Sequence, residues 1–184
     1  MKEIKVTEKY DFVGGFKEGV AVVGKDNKIA LINTNGELIL PFKYYFRYPT
    51  DEKRIVKLPS STEGLFSVIS EDGKFGFIDK HGNIKIPFIY DDSYWFLDGI
   101  TAVKKDGKYG FIDTTGKTVV PFEFDMAMNF HNEYAPVCNN EKWGLINKCG
   151  EIVVPCEYDL PFAINSGAAF VQKVGENYII ELDK

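Results

Sequence analysis

The sequence has few of the features that mark catalytic, metal-binding or disulfide-linked proteins. Its 184 residues contain only two histidines and three cysteines, Cys138, Cys149 and Cys156. Three is an odd number and the spacing is not that of a zinc site, so we expect neither a disulfide scaffold nor a metal centre. No phosphate-binding glycine loop and no nucleophile elbow occurs in the chain. We therefore expect no catalytic residue, no metal and no cofactor.

Charge and hydropathy argue against two further classes of partner. The 22 Lys and Arg residues against 27 Asp and Glu residues give a net charge of −5, with no basic cluster, so nucleic acid is not expected as a partner. No apolar run approaches the roughly 20 residues of a membrane-spanning helix. The first twelve residues, MKEIKVTEKYDF, contain no hydrophobic signal core. The sequence predicts a cytoplasmic protein that does not bind membranes.

A tandem repeat dominates the chain. Four stretches share one order of residues: Lys, then an aromatic or Ile, Gly or Ala, Phe or Leu, Ile, Asp or Asn, a turn glycine and a closing proline. They begin at Lys28, Lys74, Lys108 and Lys142, and their prolines are Pro41, Pro87, Pro121 and Pro155. The prolines are separated by 46, 34 and 34 residues, so the period is 34 with an insertion after the first copy.

The two ends of the chain resemble the parts of one further copy. Residues 4–11, IKVTEKYD, match residues 152–159, IVVPCEYD, position by position. Residues 167–183 resemble the first two strands of a copy, such as residues 99–113, with a shifted register. About five repeats are therefore predicted, the fifth split between the termini. We favour an open curved array of stacked repeats, and a closed five-bladed propeller-like ring is the alternative.

Each repeat is predicted to be a three-stranded antiparallel meander, so the fold class is all-β. Residues 105–108, Lys-Asp-Gly-Lys, form a hairpin signal, and the segment from Asp113 to Gly116 predicts a second turn. The closing proline should end the third strand or lie on an edge, since it has no N–H to donate. The aromatic residue in each repeat is expected in the core, and the glycine after it should allow close approach of a backbone.

The strings EKWGLINKCGEIVVPCEYD and GKYGFIDTTGKTVVPFEFD are similar to those of WG-repeat proteins, a bacterial family named for a Trp-Gly pair. Trp143-Gly144 is the pair itself, while Phe75-Gly76 and Tyr109-Gly110 are conservative versions. The resemblance covers nearly the whole chain except about residues 47–61. It implies a single all-β repeat domain over residues 1–184 with a loop insertion at about 47–61, and it brings no catalytic residues.

Residues that break the repeat are the candidate binding site. The aromatic run FKYYFRYP in the first copy stands where the other copies have Tyr-Asp or Phe-Asp, and the second copy has an additional tryptophan. Exposed aromatic side chains beside an arginine are common anchors of binding surfaces. The alternative is that these side chains pack under the insertion. The predicted partner-binding residues are Tyr44, Tyr45, Arg47, Tyr48 and Trp95.

Residues that obey the repeat are expected to be structural. A carboxylate follows an aromatic residue in each copy, and equivalent groups in successive repeats do not converge on one active site, so we expect them to cap the loop between repeats. They are Asp11, Asp91, Asp125 and Asp159. Phe96 matches Phe16 and Phe130 and is expected in the core.

These features favour a non-catalytic protein-binding scaffold over an enzyme. An inhibitor or adaptor would suit a small acidic repeat domain with irregular aromatic loops, and a bacterial toxin-immunity protein is one form of it. The acidic charge would speed association with a basic protein partner. A glycan-binding or cell-wall-binding module is the alternative, because Tyr and Trp side chains can stack on sugar rings, but such a module needs an extracellular location.

Overall fold

The chain folds entirely as β-structure in the part that the structure describes. The structure is a computed structural model that describes residues 8–45, 63–165 and 167–182. Eighteen strands and no helix occur in these ranges, so no helix there is long and apolar enough to cross a membrane. The chain divides into an N-terminal part, Met1–Trp95, and a C-terminal part, Phe96–Lys184.

Eight strands lie in the N-terminal part. They are β1 (Phe12–Val13), β2 (Val20–Lys25), β3 (Lys28–Asn33), β4 (Leu38–Tyr45), β5 (Leu65–Ile69), β6 (Phe75–Asp79), β7 (Ile84–Tyr90) and β8 (Asp92–Ser93). Ten strands lie in the C-terminal part. They are β9 (Ile100–Lys105), β10 (Lys108–Asp113), β11 (Thr118–Phe124), β12 (Met126–Ala127), β13 (Tyr134–Asn139), β14 (Lys142–Asn147), β15 (Ile152–Tyr158), β16 (Ala163–Asn165), β17 (Ala168–Lys173) and β18 (Glu176–Glu181).

The predicted all-β repeat is confirmed. Four antiparallel meanders, β2–β4, β5–β7, β9–β11 and β13–β15, follow one another, and a final hairpin is formed by β17 and β18. In the third meander Lys105 pairs with Lys108 across the predicted turn. Asp106 and Gly107 both have positive φ, 51° and 82°, as a type I′ hairpin turn requires.

The final hairpin lies in register with the others. Lys173 pairs with Glu176, and Ala168 pairs with Glu181. These pairs stand in the same relation to the turn as Lys105–Lys108 and Ile100–Asp113 in the third meander. The shifted register predicted for residues 167–183 is therefore wrong. Asn177 and Tyr178 occupy the positions that Trp143 and Gly144 hold in the fourth meander, so the final hairpin lacks the aromatic-Gly pair.

The second turn is fixed by a side chain, as the sequence predicts. Asp113 Oδ1 accepts the N–H groups of Thr115 at 2.9 Å and Lys117 at 3.0 Å, and Gly116 has a φ of 86°. The hydrogen bond from the Thr115 hydroxyl lowers the pKa of the Asp113 carboxyl. The same pattern recurs at Asn33, Asp79 and Asn147.

The closing proline does not end the third strand but lies on an edge strand, which is the second of the two predicted positions; β11, with Pro121, is the edge of its sheet. β11 continues past Pro121 to Phe124, because the ladder with β10 shifts register between the Val120 and Phe124 pairs. The proline lies in the resulting bulge, where its missing N–H costs no ladder bond. The bulge brings the carbonyl oxygens of Val120 and Pro121 over Gly110, at 2.8 and 2.9 Å from the position of a Cβ. The repeated proline lies in the bulge, and the repeated glycine leaves the space that the bulged backbone occupies.

A short strand that was not predicted from the sequence precedes several of the described hairpins. After the third strand the chain forms two or three residues of ladder with the first strand of the next hairpin. This occurs at β1 with β2, β12 with β13 and β16 with β17. The predicted three-stranded unit is therefore extended by an entry strand, which joins successive meanders through backbone hydrogen bonds.

The core lies within and between neighbouring meanders. In the N-terminal part, Leu31 and Leu40 of the first meander pack in one cluster with Phe66 and Ile78 of the second. In the C-terminal part, the Phe130 ring lies 4.8 Å from the Phe111 ring of the preceding meander. Asn129 Oδ1 accepts the N–H of Ala102 at 2.9 Å and adds a polar link across the same junction.

One of the three equivalent phenylalanines is not buried. Phe96 is 1% exposed, as predicted for a core residue, and its equivalent Phe130 is 3% exposed, but Phe16 is 53% exposed. Phe130 is covered because it packs on the preceding meander. No described residue supplies such a meander ahead of Phe16, so its equivalence to Phe96 does not extend to burial.

Candidate functional site

The repeated carboxylates link successive meanders. We call the contacts of one such carboxylate with the lysine of its own meander and with the backbone of the next hairpin a clasp. Asp125 Oδ1 accepts a hydrogen bond from Lys108 Nζ at 2.5 Å, and its Oδ2 accepts the N–H of Asn140 in the next hairpin turn at 2.9 Å. The Asp125 N–H donates to the Cys138 carbonyl at 2.9 Å. Asp159 repeats all three contacts with Lys142, Val174 and Gln172. The prediction that these residues cap the inter-repeat loop holds for these two junctions.

Acidification is expected to weaken the two clasps. The hydrogen bonds from Lys108 and Lys142 lower the pKa of Asp125 and Asp159 below the ordinary value of 3.8. A carboxyl whose pKa is lower in the folded chain stabilises the fold above its unfolded pKa and loses that effect as the pH falls through the folded pKa. The urea midpoint should therefore fall between about pH 5 and pH 2, and less steeply in an Asp125→Asn/Asp159→Asn variant. Equal pH dependence in the two proteins would contradict this role.

The first meander has no clasp aspartate, because Tyr45 stands at that position. This tyrosine occupies the position of Asp91, Asp125 and Asp159, and the lysine that would bind the carboxylate, Lys28, instead lies over the Tyr45 ring at 5.5 Å from its centroid. A cation–π contact of this kind keeps the lysine partnered without a carboxylate. The Tyr45 side chain is half-buried at the end of β4, where Tyr45 pairs with Ile69 of β5.

Tyr44 belongs to the core. It is 4% exposed, and its ring stacks on Phe88 with the centroids 5.1 Å apart. From that position its side chain is not available to a partner, so of the aromatic run only Tyr45 remains as a described surface candidate. Arg47 and Tyr48 lie outside the described residues.

Trp95 is the most exposed of the described candidates. Its side chain is 38% exposed, and its ring lies edge-on to that of Tyr94 with the centroids 6.0 Å apart. The chain reaches this point beside β5, because the Ser93 hydroxyl is hydrogen-bonded to the Ser67 hydroxyl at 2.5 Å. Tyr45 lies next to the same strand. We call Tyr45, Tyr94 and Trp95 the aromatic patch.

Tyr94 was not among the predicted binding residues, although the repeat contains a signal for it. The equivalent positions hold Gly14, Met128 and Phe162; Phe162 is buried, and Met128 packs against the same cluster. Tyr94 thus places a half-buried tyrosine ring beside Trp95 at a position that otherwise holds glycine or an apolar residue. Aromatic rings with polar tips can serve a protein partner or a sugar ring.

The histidines and cysteines do not form a second site. His81 and His131 are exposed, and all three cysteines are free thiols. Burial raises the pKa of the Cys138 and Cys156 thiols, which disfavours the reactive thiolate. Within residues 8–45, 63–165 and 167–182, no three His, Cys, Asp or Glu side chains are grouped so that they could hold a metal ion.

Solved structures share the fold at low sequence identity. The chain is similar to the computationally designed protein Ika8, with 11% identity and a TM-score of 0.55 over 91% of this chain and 57% of that one. It is also similar to BamB from Moraxella catarrhalis, with 13% identity and a TM-score of 0.50 over 91% of this chain and 56% of that one. The chain thus spans a little over half the length of each protein, and the likeness shows the fold alone.

Comparison with protein families is more specific. No curated protein matches the sequence. The model of the WG containing repeat matches five times, over residues 3–28, 30–53, 75–109, 109–143 and 143–178. The last three matches start 34 residues apart, which is the period read from the sequence. The aromatic-Gly pairs, the bulge with its proline and the matched segments together show that the chain belongs to the WG containing repeat family.

Proposed function

We propose that this chain is a non-catalytic scaffold that binds another protein through the aromatic patch. The class that fits is an inhibitor or adaptor in the cytoplasm, of which a toxin-immunity protein is one form. The roles of the polar side chains support the proposal. The recurrent Asp and Asn side chains form hydrogen bonds that stabilise turns and link successive meanders, so they are occupied by structural contacts. The residues that depart from this pattern are aromatic.

One observation carries the proposal. Tyr45 replaces the clasp aspartate and Trp95 stands where the C-terminal repeats have Asn129 and Ala163, and both departures lie beside β5 in the N-terminal part. Two aromatic departures from the repeat along one strand favour a binding role for these side chains over a purely structural one. Tyr and Trp also supply large contact areas at a low entropic cost, which is why they are enriched in protein-binding hot spots.

The partner expected for this surface is a basic protein. The net charge of −5 favours association with a positively charged surface, and screening by salt should slow that association. A basic partner whose association rate falls with rising salt would agree with this steering. Rates that stay unchanged from low to high salt would remove the electrostatic part of the proposal.

The proposal predicts that a Tyr45→Asp/Trp95→Ala variant loses the partner while it stays folded. Tyr45→Asp introduces the residue that three equivalent positions already hold, so Lys28 keeps a partner in the form of an ion pair. Each tagged protein serves as bait in a lysate of the source organism. We expect the retained partner to bind the double variant at least about tenfold more weakly, as for loss of a hot-spot aromatic residue.

Ile84→Ala provides the matched control. Ile84 is 55% exposed on β7 of the same N-terminal part and keeps the apolar pattern of its repeat position, which holds Leu38 and Ile152 in other copies, so its variant should retain the partner as the wild type does. Equal retention by the wild type and the double variant would contradict the proposed surface. Retention of no protein together with binding to a sugar array would favour the glycan-binding alternative.

A further inference from the structure

The junction between the third and fourth meanders shows which side chains pack together where one repeat meets the next. Phe111 in β10 is fully buried, and Phe130 from the following entry segment is 3% exposed on top of it. Ala102, beside Phe111 on β9, is also fully buried. The contact therefore has two unlike halves, a hairpin face and a phenylalanine from the next entry segment, which pack against each other.

Both halves occur uncovered elsewhere in the chain. In the final hairpin, Ile179 and Phe170 occupy the positions of Phe111 and Ala102, face each other across the ladder and are 73% and 52% exposed. At the first entry segment, Phe16 occupies the position of Phe130 and is 53% exposed, with Val13 nearby at 59%. The residues equivalent to Phe16 are buried at Phe96 and Phe130 and half-buried at Ile164, and those equivalent to Ile179 are buried in all four meanders.

We propose that one copy of this chain binds a second copy head to tail, with Phe16 of one copy packed on Ile179 and Phe170 of the other. The contact would reproduce the Phe130–Phe111 junction between two molecules. Because the two surfaces are different, the interface is heterologous, and repeated contacts extend into an open chain or close into a ring. The proposal concerns self-association and is independent of the aromatic patch.

Two residues of the final hairpin differ from their equivalents in the meanders, and both differences weaken this contact. Glu176 stands where the four meanders have lysine, so a docked copy would bring its Asp11 towards a carboxylate instead of an ammonium group. Tyr178 stands where Gly110 and Gly144 allow close approach of a bulged strand. The copy-to-copy contact is therefore weaker than an internal junction, and association should depend on concentration. Glu176→Lys should tighten it by supplying the missing cation.

Sedimentation velocity on the full chain tests the proposal through complementation. The average mass of the wild type should rise between about 1 and 300 μM, the range in which weak specific contacts are populated. Phe16→Arg and Ile179→Arg should each remain monomeric at these concentrations. An equal mixture of the two should form a dimer, because the intact Phe16 of one variant can dock on the intact Ile179 of the other. Only one productive contact exists in that mixture, so the mass should not rise beyond the dimer.

Ile84→Arg is the matched control, since it places the same charge on an apolar side chain of similar exposure outside both surfaces. It should associate as the wild type does, and circular dichroism should show that all variants are folded. A wild type that stays monomeric throughout the range would overturn the proposal. A mixture that stays monomeric although both variants are folded would overturn the head-to-tail arrangement.

Discussion

Replacing Gly144 by valine is expected to lower the free energy of unfolding by about 3 kcal/mol, the upper part of the range for forced overpacking. A Cβ at this position would lie 2.5 Å from the Val154 carbonyl oxygen and 2.8 Å from the Cys156 nitrogen. Both atoms belong to the backbone of the bulged third strand, so neither can move aside as a flexible side chain could. The strand must shift and lose its ladder with β14. Urea unfolding at neutral pH measures the effect.

Gly15→Val is the control for this substitution. No atom lies within 4 Å of a Cβ at Gly15, and Gly15 is not among the glycines with positive φ. Its replacement should change the free energy of unfolding by less than about 0.5 kcal/mol, as for an ordinary surface site. If both variants unfold at the same urea concentration as the wild type, the glycine is not required by the bulge.

Truncating Phe130 to alanine is expected to cost about 3–5 kcal/mol, the usual range for a buried phenylalanine. The ring fills the space between two successive meanders against Phe111, and its removal leaves a cavity at that junction. The equivalent substitution Phe16→Ala should cost less than about 1 kcal/mol, because more than half of that side chain is already in water. Both are measured by urea unfolding at a protein concentration low enough to exclude self-association.

A double-mutant cycle isolates the aromatic contact itself. Phe111→Ala, Phe130→Ala and the combined variant should give a coupling energy of about 0.5–1.5 kcal/mol. A Phe16→Ala effect as large as that of Phe130→Ala would show that the two positions have the same surroundings and would contradict the exposure described above.

The local structure of each repeat could be predicted because its causes lie within a few residues. The hairpin turn at Asp106-Gly107 and the side-chain turn at Asp113 depend on residue types that tolerate positive φ or accept backbone hydrogen bonds. The sequence also placed Phe96 in the core by its equivalence to residues of other copies. These signals recur at a fixed period, so each copy supports the assignment made in the others.

Features that depend on ladder pairing were not predictable from the same signals. A proline normally marks the end of a strand, and only the register shift between Val120 and Phe124 shows that Pro121 lies inside one. Because the strand continues past the proline, Tyr44 points inward like Tyr90 and Phe124, which are also buried. Its position in a run of aromatic residues suggested a surface instead, so alignment with its equivalents was the better guide.

Exposure at the edges of the repeat series was also not predictable. Phe16 matches two buried residues, and Ile179 matches the buried Phe111. Whether such a side chain is covered depends on the presence of a neighbouring meander, which is a property of the tertiary structure and not of the local sequence. The aromatic patch has the same dependence, since Tyr45 and Trp95 both lie near β5 although they are 50 positions apart in the sequence.

Amide hydrogen exchange of the chain with and without its retained partner tests the proposed binding surface most directly. Binding at the aromatic patch should slow exchange in peptides that cover residues 63–69 and 90–95, where β5 and the Tyr94-Trp95 segment lie. Peptides from the third strands β11 and β15 should exchange at the same rate in the free and bound chain. Slowed exchange confined to β11 and β15, with none at residues 63–69 and 90–95, would contradict a scaffold that binds through the residues that break its repeat.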